Sequence, residues 1–570
     1  MKFHFVHSGT FRARQIFVFL FFLLSLAFLI IRLFYLQGIK HSFYYKIANE
    51  EHIVSVELQP KRGTIFDRNM RVLAVNLNRI SIYANPREIK DKAKAVKIIS
   101  AVLGLRGDFV TERLSRDKGF IWIKRKVTNK EAAALKKFDL TGVGFIDESK
   151  RFYPNAGSAC HLIGSVNIDN KGQEGLEALY NEYLKGQEGF LEATQDAKRK
   201  LLHSYREDFL APKNGYNLIL TIDEVIQNIA ERELYKMYDK YHAKGATIVV
   251  MDPKNGDILA LASFPYFDLN NPAKRQPDSV RNRAINDFFE PGSVFKIVTA
   301  SAILEENAVD LNDKFDCENG AWKVGKRVLH DHRPHGVMTF REVIEMSSNI
   351  GTVKAAGLLG PEKMNKYMKL FGFYERTGID LPGEVLGMNR PLSRWTPTSM
   401  LAIPMGQEVT TTAIQLASAI SVIADNGFLV RPRIVKRIEN EEGEVIKEFQ
   451  PQVKRKVISP MTAYRMRVLL MGAVESGTGK KAKVEDFSTG GKTGTAQKVE
   501  PGGIYSHDKF MASFIGFAPV GKPAIAVAVC VDEPHPVYFG GDVAAPVFKN
   551  VVDESLKYLN VKDTRPVVVK

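Results

Sequence analysis

The chain has 570 residues, of which 45% are hydrophobic and 25% charged. That composition excludes a disordered or fibrous protein, and the length calls for two or three domains. A formal net charge of +16 suits the anionic headgroups and phosphates of a cell envelope or serves solubility alone, and no nucleic-acid motif accompanies it.

The N-terminus differs in kind from the rest. Residues 16–31 are uncharged and almost wholly apolar, and apolar character resumes at residues 33–36. A helix over 16–36 spans about 31 Å, close to a bilayer core. Arg32 lies near its outer end, where it can snorkel to the headgroups. Lys2, Arg12 and Arg14 precede the span, and no Asp or Glu occurs before Glu50. The positive-inside rule puts residues 1–15 in the cytoplasm as a short tail and the chain after about residue 37 outside. No small-x-small cleavage site follows the apolar run, so the span reads as a retained anchor.

The next region, residues 37–212, carries short strands such as 80–84 and amphipathic helical stretches such as 130–138. Arg62-Gly-Thr-Ile-Phe-Asp67-Arg68 reads as a strand and turn locked by a clustered ion pair of Arg62, Asp67 and Arg68. Gly172-Gln-Glu-Gly-Leu-Glu177 leads into a helix over 179–184. From about residue 213 a second domain begins. Residues 218–222 form a strand, and Asp223 caps a helix from 224 to about 241. Apolar strands at 246–251 and 258–263 flank Asp252-Pro-Lys-Asn-Gly256, a strong hairpin signal. A helical half follows, strands return around 492–497, 511–517 and 524–531, and a last helix covers about 546–559. Strands at both ends with helices between require the two ends to pair in one antiparallel sheet, an α+β fold with a helical lobe. Only three cysteines occur, Cys160, Cys317 and Cys530, too few for a disulfide framework. Cys530 lies in an apolar run and reads as core; a Cys160–Cys317 bridge has no support beyond the count.

Three short motifs in this domain carry chemistry: Ser293-Val-Phe-Lys296, Ser347-Ser348-Asn349 and Lys492-Thr493-Gly494. In that order they form the S-x-x-K, S-x-N, K-T-G triplet of acyl-serine transferases that react with penicillin. Each alone is weak, since roughly two S-x-x-K matches arise by chance in a chain this long. Ser115 to Lys118 and Ser506 to Lys509 also match, but the first reads as a solvated turn and the second as a polar loop. Ser293 instead follows Pro291-Gly292 and opens a helix that is apolar nearly all round, so its first turn faces a cleft. Lys296 lies three residues on, on the same face. A serine hydroxyl needs a base, and no histidine lies within the other two motifs, so Lys296 is the natural base. Burial and the neighbouring Lys492 lower its pKa toward working pH. Ser347 can relay a proton, Asn349 can hold Lys296 and a substrate amide, and Lys492 with Thr493, Gly494 and Thr495 can bind a carboxylate. His330, Asp331, His332 and His335 gather four potential metal ligands. Pro334 breaks their spacing and no second close pair lies near, so the loop reads as structural or cleft-lining and no metal is expected.

Beyond the triplet, the chain resembles the class B penicillin-binding proteins, single-span D,D-transpeptidases of bacterial cell-wall synthesis. Arg62-Gly-Thr-Ile-Phe-Asp-Arg68, Arg151-Phe-Tyr-Pro154 and Gly172 to Glu177 match the family's pedestal motifs. Asp252-Pro253, Leu381-Pro-Gly-Glu384 and Gly406-Gln407 match its catalytic domain. Phe289-Glu-Pro-Gly-Ser-Val-Phe-Lys296 and Tyr538-Phe-Gly-Gly-Asp-Val-Ala-Ala-Pro546 resemble the division-specific branch. The resemblance implies an elongated pedestal (dimerisation-type) domain at 37–212, a penicillin-binding transpeptidase domain at 213–560 and a tail at 561–570. It implies catalysis by Ser293, Lys296, Ser347, Asn349 and Lys492, substrate contacts from Thr493, Gly494 and Thr495, and an oxyanion hole from the backbone N–H groups of Ser293 and Thr495. The implied substrates are peptidoglycan stem peptides with release of D-alanine in septal synthesis, β-lactams are covalent inhibitors, and no cofactor is needed. The implied partners are a polytopic lipid-II-polymerising glycosyltransferase and other membrane proteins of a division complex, at the inner membrane. Alternatives are an elongation- or sporulation-specific transpeptidase, a D,D-carboxypeptidase, or a β-lactam sensor.

Overall fold

The computed structural model describes residues 8–194, 209–325, 327–500 and 502–563. Residues 1–7 of the expected cytoplasmic tail, 195–208 of the pedestal and 564–570 of the C-terminal tail lie outside the described residues. The chain divides into two compact units: one holds residues up to Pro60 with Gln187–Lys213, the other Lys61–Gly186 with the chain from Asn214 onward.

In the first unit, α1 (Ser8–Phe34) runs on through a wider turn at Tyr35–Ile39. Arg12–Ile39 is long and apolar enough to cross a membrane, with a mean hydropathy of 2.8 and none of that stretch buried. The helix therefore passes beyond residue 36, and the Arg32 guanidinium sits 5.6 Å from the Tyr35 ring. A small antiparallel sheet pairs Ile53–Leu58 with Gly189–Thr194, which in turn pairs with Phe209–Leu210.

The second unit begins with β1 (Ile65–Phe66), β2 (Val72–Ala84), β3 (Ile121–Val127) and β4 (Val143–Phe152). β2 pairs antiparallel with β1, β3 and β4. β1 also lies parallel to β5 (Asn217–Leu220), with Ile65 opposite Leu218, so one sheet runs across the boundary expected at residue 212. The expected ion pair of Arg62, Asp67 and Arg68 is built otherwise. Arg62 donates to Glu177 (2.7 Å), as does Arg151 (2.6 Å), and all three side chains are almost wholly buried. Asp67 accepts from the backbone N–H of Asn69, Arg71 and Glu224. A buried guanidinium needs a fully buried carboxylate with spare lone pairs, and Glu177 supplies that for two arginines where Asp67 is spent on the backbone. The helix expected over 179–184 is broken at Tyr180 into Gly175–Leu179 and Asn181–Leu184.

Chemistry is carried by the next layer. Asp223 caps α2 (Glu224–Lys240) through the Val225 N–H. β6 (Gly245–Met251) and β7 (Ile258–Phe264) form the expected hairpin. Then come α3 (Lys296–Glu305), α4 (Asn349–Leu359) and α5 (Ala413–Ala424), followed by β8 (Gly490–Val499), β9 (Tyr505–Ala518), β10 (Ile525–Asp532) and α6 (Gly540–Tyr558). The sheet order is β7-β6-β10-β9-β8, antiparallel throughout. The two chain ends meet at β6 and β10, and the fold is α+β. Every residue of α5 is buried, as is α3 through Leu304; such all-round burial matches their all-round apolarity. α6 starts at Gly540, six residues before the expected Pro546, and carries that proline inside. Ser506 lies in β9 with its hydroxyl on Asp508, so it belongs to a strand and not to the loop expected there.

Candidate active site

Ser293 does not open an α-helix directly. Gly292–Phe295 forms one turn of the tighter 3-10 helix, and α3 begins at Lys296. Two glycines make that turn fit. Gly292 has φ +58°, a conformation that strains any other residue, and its N–H donates to Gly406 O (3.1 Å). A Cβ on Gly406 would stand 2.1 Å from Gly292 O. Ser293 is half-buried at the cleft, and among the described residues its hydroxyl has no hydrogen-bond partner.

Lys296 lies one turn on and is wholly buried. Its Nζ reaches Ser347 O (2.7 Å), Ser347 Oγ (3.3 Å) and Asn349 Oδ1 (2.8 Å). Burial pulls its pKa down to about 7, against the opposing pull of the Asp331 carboxylate and Cys317. Lys492, also wholly buried, interacts with this amine, and repulsion between the two ammonium groups disfavours charging both. Ser347 stands in the left-handed region at φ +63°, which turns both its carbonyl and its hydroxyl onto the amine. Strain of this kind survives only where the surroundings enforce it.

Asp331 is what enforces it. One carboxylate oxygen accepts from the N–H groups of Asn349 and Ile350, and the other from Ser348 Oγ (2.6 Å). Ser348 in turn caps α4 by accepting from Gly351 N–H (2.9 Å). Asn349 Nδ2 donates to His330 O (2.9 Å), which fixes its amide with the oxygen toward Lys296. The loop of His330, Asp331, His332 and His335 is thus the clamp of the S-x-N motif, and among the described residues no group of metal-ligating side chains forms there. His332 packs on Phe539, centroids 4.9 Å apart. The three cysteines are free and buried; Cys317 Sγ accepts from Ser348 Oγ (3.3 Å).

Lys492, Thr493, Gly494 and Thr495 lie on β8, the edge of the sheet. Gly494 is required by close approach: a Cβ there would meet Ser513 Oγ at 2.4 Å, Val294 Cγ1 at 2.9 Å and Pro291 O at 3.0 Å. This glycine lets the strand lie against the Ser293 turn, and so brings the first and third motifs together. The Lys492 side chain is fully buried. Desolvation, and then the Lys296 ammonium, push its pKa well below the ordinary lysine value. Two buried ammonium groups this close share fewer than two protons. Thr493 Oγ1 meets Thr478 Oγ1 (2.8 Å), and Thr495 Oγ1 accepts from Gly540 N–H (3.0 Å) at the start of α6. The positive end of a 19-residue helix therefore adjoins Thr495 on this strand. Asp331 as a clamp and Thr478 as a partner carry no sequence signal, because both act across the fold.

A buried lysine partly unprotonated near neutral pH, a serine one turn before it, a hydroxyl on that lysine and an edge strand carrying a second lysine are the groups acyl transfer requires. Residues 246–553 match the family model "Penicillin binding protein transpeptidase domain", and residues 57–220 match "Penicillin-binding Protein dimerisation domain". Stage V sporulation protein D of Bacillus subtilis is 38% identical over 99% of this chain and 88% of its own length. Peptidoglycan D,D-transpeptidase FtsI of Escherichia coli is 30% identical over 95% of this chain and 91% of its own. Among solved structures, penicillin binding protein 3 of Mycobacterium tuberculosis with aztreonam superimposes with a TM-score of 0.70 at 27% identity, covering 90% of this chain and 100% of that one. Penicillin Binding Protein 2X of Streptococcus thermophilus, at a TM-score of 0.73 and 23% identity over 88% of this chain and 80% of that one, shares the fold. On this site, these two domain matches and these relatives, the chain belongs to the class B penicillin-binding protein family, with a transpeptidase domain and a dimerisation domain.

Proposed function

We propose that the chain is a serine D,D-transpeptidase that cross-links peptidoglycan stem peptides, with Ser293 as its nucleophile. The carrying observation is the amine of Lys296, wholly buried, held by Ser347 and Asn349 and pulled to about 7. The C-terminal carboxylate of a D-Ala-D-Ala stem enters beside Lys492, Thr493 and Thr495. Its charge draws the shared proton to Lys492 and leaves Lys296 neutral. Lys296 then takes the Ser293 proton as Oγ attacks the penultimate carbonyl, and the oxyanion is met by the N–H groups of Ser293 and Thr495. One such donor is typically worth about 3–4 kcal/mol. Ser347 passes a proton to the departing D-alanine amine, leaving an acyl-serine. A second stem's amine attacks that ester, forms the new amide and frees Ser293. Edge strand β8 offers unpaired backbone groups for the stem to lie along. β-Lactams, which mimic the same carboxylate and amide, stop at the ester.

The test measures D-alanine release from a pentapeptide donor with and without an amine acceptor. Release that climbs with acceptor and yields the cross-linked amide supports the reading. Equal release into water alone would make the chain a carboxypeptidase.

A role in septal synthesis is supported by Phe289 to Lys296 and Tyr538 to Pro546, which resemble the division branch, and by the likeness to FtsI. In that reading α1 anchors the chain in the inner membrane, N-terminus inside and catalytic domain outside. Residues 37–212 form the pedestal, residues 213–560 the catalytic domain, and a polytopic lipid-II-polymerising glycosyltransferase is the partner. The 38% identity to a sporulation protein over 99% of the chain favours a second reading, synthesis of the spore wall. Depletion separates them: filaments mark division, and normal growth with defective spores marks sporulation.

A further inference from the structure

A cavity of about 640 Å³ opens between the middle of α2, the end of β7 and the segment from Asn155 to His161. None of the Ser293, Ser347 or Lys492 motif residues lines it. Its volume is that of a small-ligand pocket, typically about 300–1,000 Å³. Asn228, Glu231 and Tyr235 line it from one face of α2, spaced three and four residues apart. Beside Tyr235 lie Phe264, 5.7 Å away and buried, and Tyr266, whose ring meets Phe264 edge to face at 5.5 Å. Tyr235 and Tyr266 are 49% and 55% exposed, an unusual state for two large rings in mutual contact with a third.

The charges inside narrow the ligand. Arg232 lines the cavity but is tied to both Glu233 and Glu554, so no free cation awaits a phosphate or carboxylate. Asp268 accepts from Asn270 N–H and the Asn271 amide, neutral donors that leave its charge and further lone pairs in place. Glu231 already accepts from Ala159 N–H and Gln227 Nε2, both at 2.7 Å, and burial pushes its carboxyl toward the neutral form. The Asp268 carboxylate stays available as an acceptor for ligand hydroxyl groups. What remains is a pocket with the exposed rings and hydroxyls of Tyr235 and Tyr266, the exposed Asn228 amide and the Asp268 carboxylate. That combination fits a pyranose, whose C–H faces lie on aromatic rings while its hydroxyl and acetamido groups exchange hydrogen bonds.

We propose that this cavity is a glycan-binding site, separate from the catalytic cleft, that takes one or two N-acetylated sugars of an uncharged saccharide strand. It rests on the peptidoglycan reading for its biological source, though not for its chemistry. A strand held there would keep the enzyme on the polymer whose peptides it joins.

The probe is the uncharged tetramer of β-1,4-linked N-acetylglucosamine, with binding to the full chain in detergent read by saturation-transfer NMR. The expected result is signal on the sugar ring protons and acetamido methyls, unchanged after Ser293 is blocked with penicillin, and reduced at least about fivefold in Tyr235→Ala/Tyr266→Ala. Asn228→Ala should reduce it as well without touching an aromatic ring. Undiminished labelling of both variants by fluorescent penicillin shows that they are folded and keeps a failure of this site distinct from a failure of the catalytic reading. Loss of signal on penicillin treatment would place the sugar in the catalytic cleft and overturn the proposal. So would equal signal in the variants, displacement of the probe by a lysine-rich peptide, or no signal at millimolar sugar.

Discussion

Lys296 decides whether the site works at neutral pH. Its amine must be unprotonated to accept the Ser293 proton, and burial holds its pKa at about 7. Acylation by a β-lactam should rise with pH through that value and level off above it; an inflection left near 10 would show that burial does not act as described. Lys296→Arg keeps the charge but removes the base, so acylation should fall by about three orders of magnitude while the circular dichroism is unchanged. Asp331 makes a sharper case, since it never touches substrate. Asp331→Asn keeps one oxygen for the Asn349 and Ile350 N–H groups but loses the negative charge and puts an NH2 where the Ser348 hydroxyl needs an acceptor. It should cost about 1–3 kcal/mol of stability and slow acylation. Losing a carboxylate that raises Lys296 should also move the inflection of the pH profile to lower pH, which a merely structural lesion would not do. At this scale the motifs were legible as motifs, and the fold brings Lys296 of the first onto Ser347 and Asn349 of the second. Asp331 was visible only as one of four clustered polar residues, because its partners lie 17 to 19 positions along the chain and no local pattern links them. The left-handed backbone of Ser347 had no sequence signal at all.

Among the elements, the contact of β8 with the Ser293 turn matters most. It depends on Gly494, where a Cβ would collide with Pro291 O, Val294 and Ser513. Gly494→Ala should therefore open the gap between nucleophile and carboxylate clamp. Acylation should drop at least about a hundredfold, more than 2.7 kcal/mol of transition-state stabilisation, with most of the loss in the chemical step. If second-order acylation stays within a factor of a few of wild type, the approach is not what couples the motifs. Strand and helix positions in the catalytic domain were largely readable, because β6, β7, β10 and the second half of β9 are mostly apolar runs and α2 carries its own cap. Two misreadings have physical causes. The turn before α3 is a 3-10 helix because Gly292 leans on Gly406, a tertiary contact. The last helix was expected from about 546, yet α6 starts at Gly540 and tolerates Pro546 in its second turn, where other residues of the helix pack into the core.

For the whole molecule, the second unit is held together across long sequence distances by Glu177. It receives Arg62, 115 residues earlier, and Arg151, 26 residues earlier, with every member buried. Glu177→Gln leaves two guanidinium groups without a counter-ion and should cost about 3–5 kcal/mol, read as a lower denaturation midpoint with penicillin binding lost only on unfolding. A midpoint within a degree of wild type would mean water replaces the carboxylate. The pedestal motifs were legible as a set, but their pairing was not, since Arg62 and Asp67 share a segment and were expected to pair with each other. All of these effects converge on one hydroxyl. The most direct measurement is peptide mapping by mass spectrometry of the full chain after benzylpenicillin: the account predicts a single penicilloyl adduct on Ser293, absent from Ser293→Ala, and an adduct on Ser115, Ser506 or any other residue in that variant would contradict it.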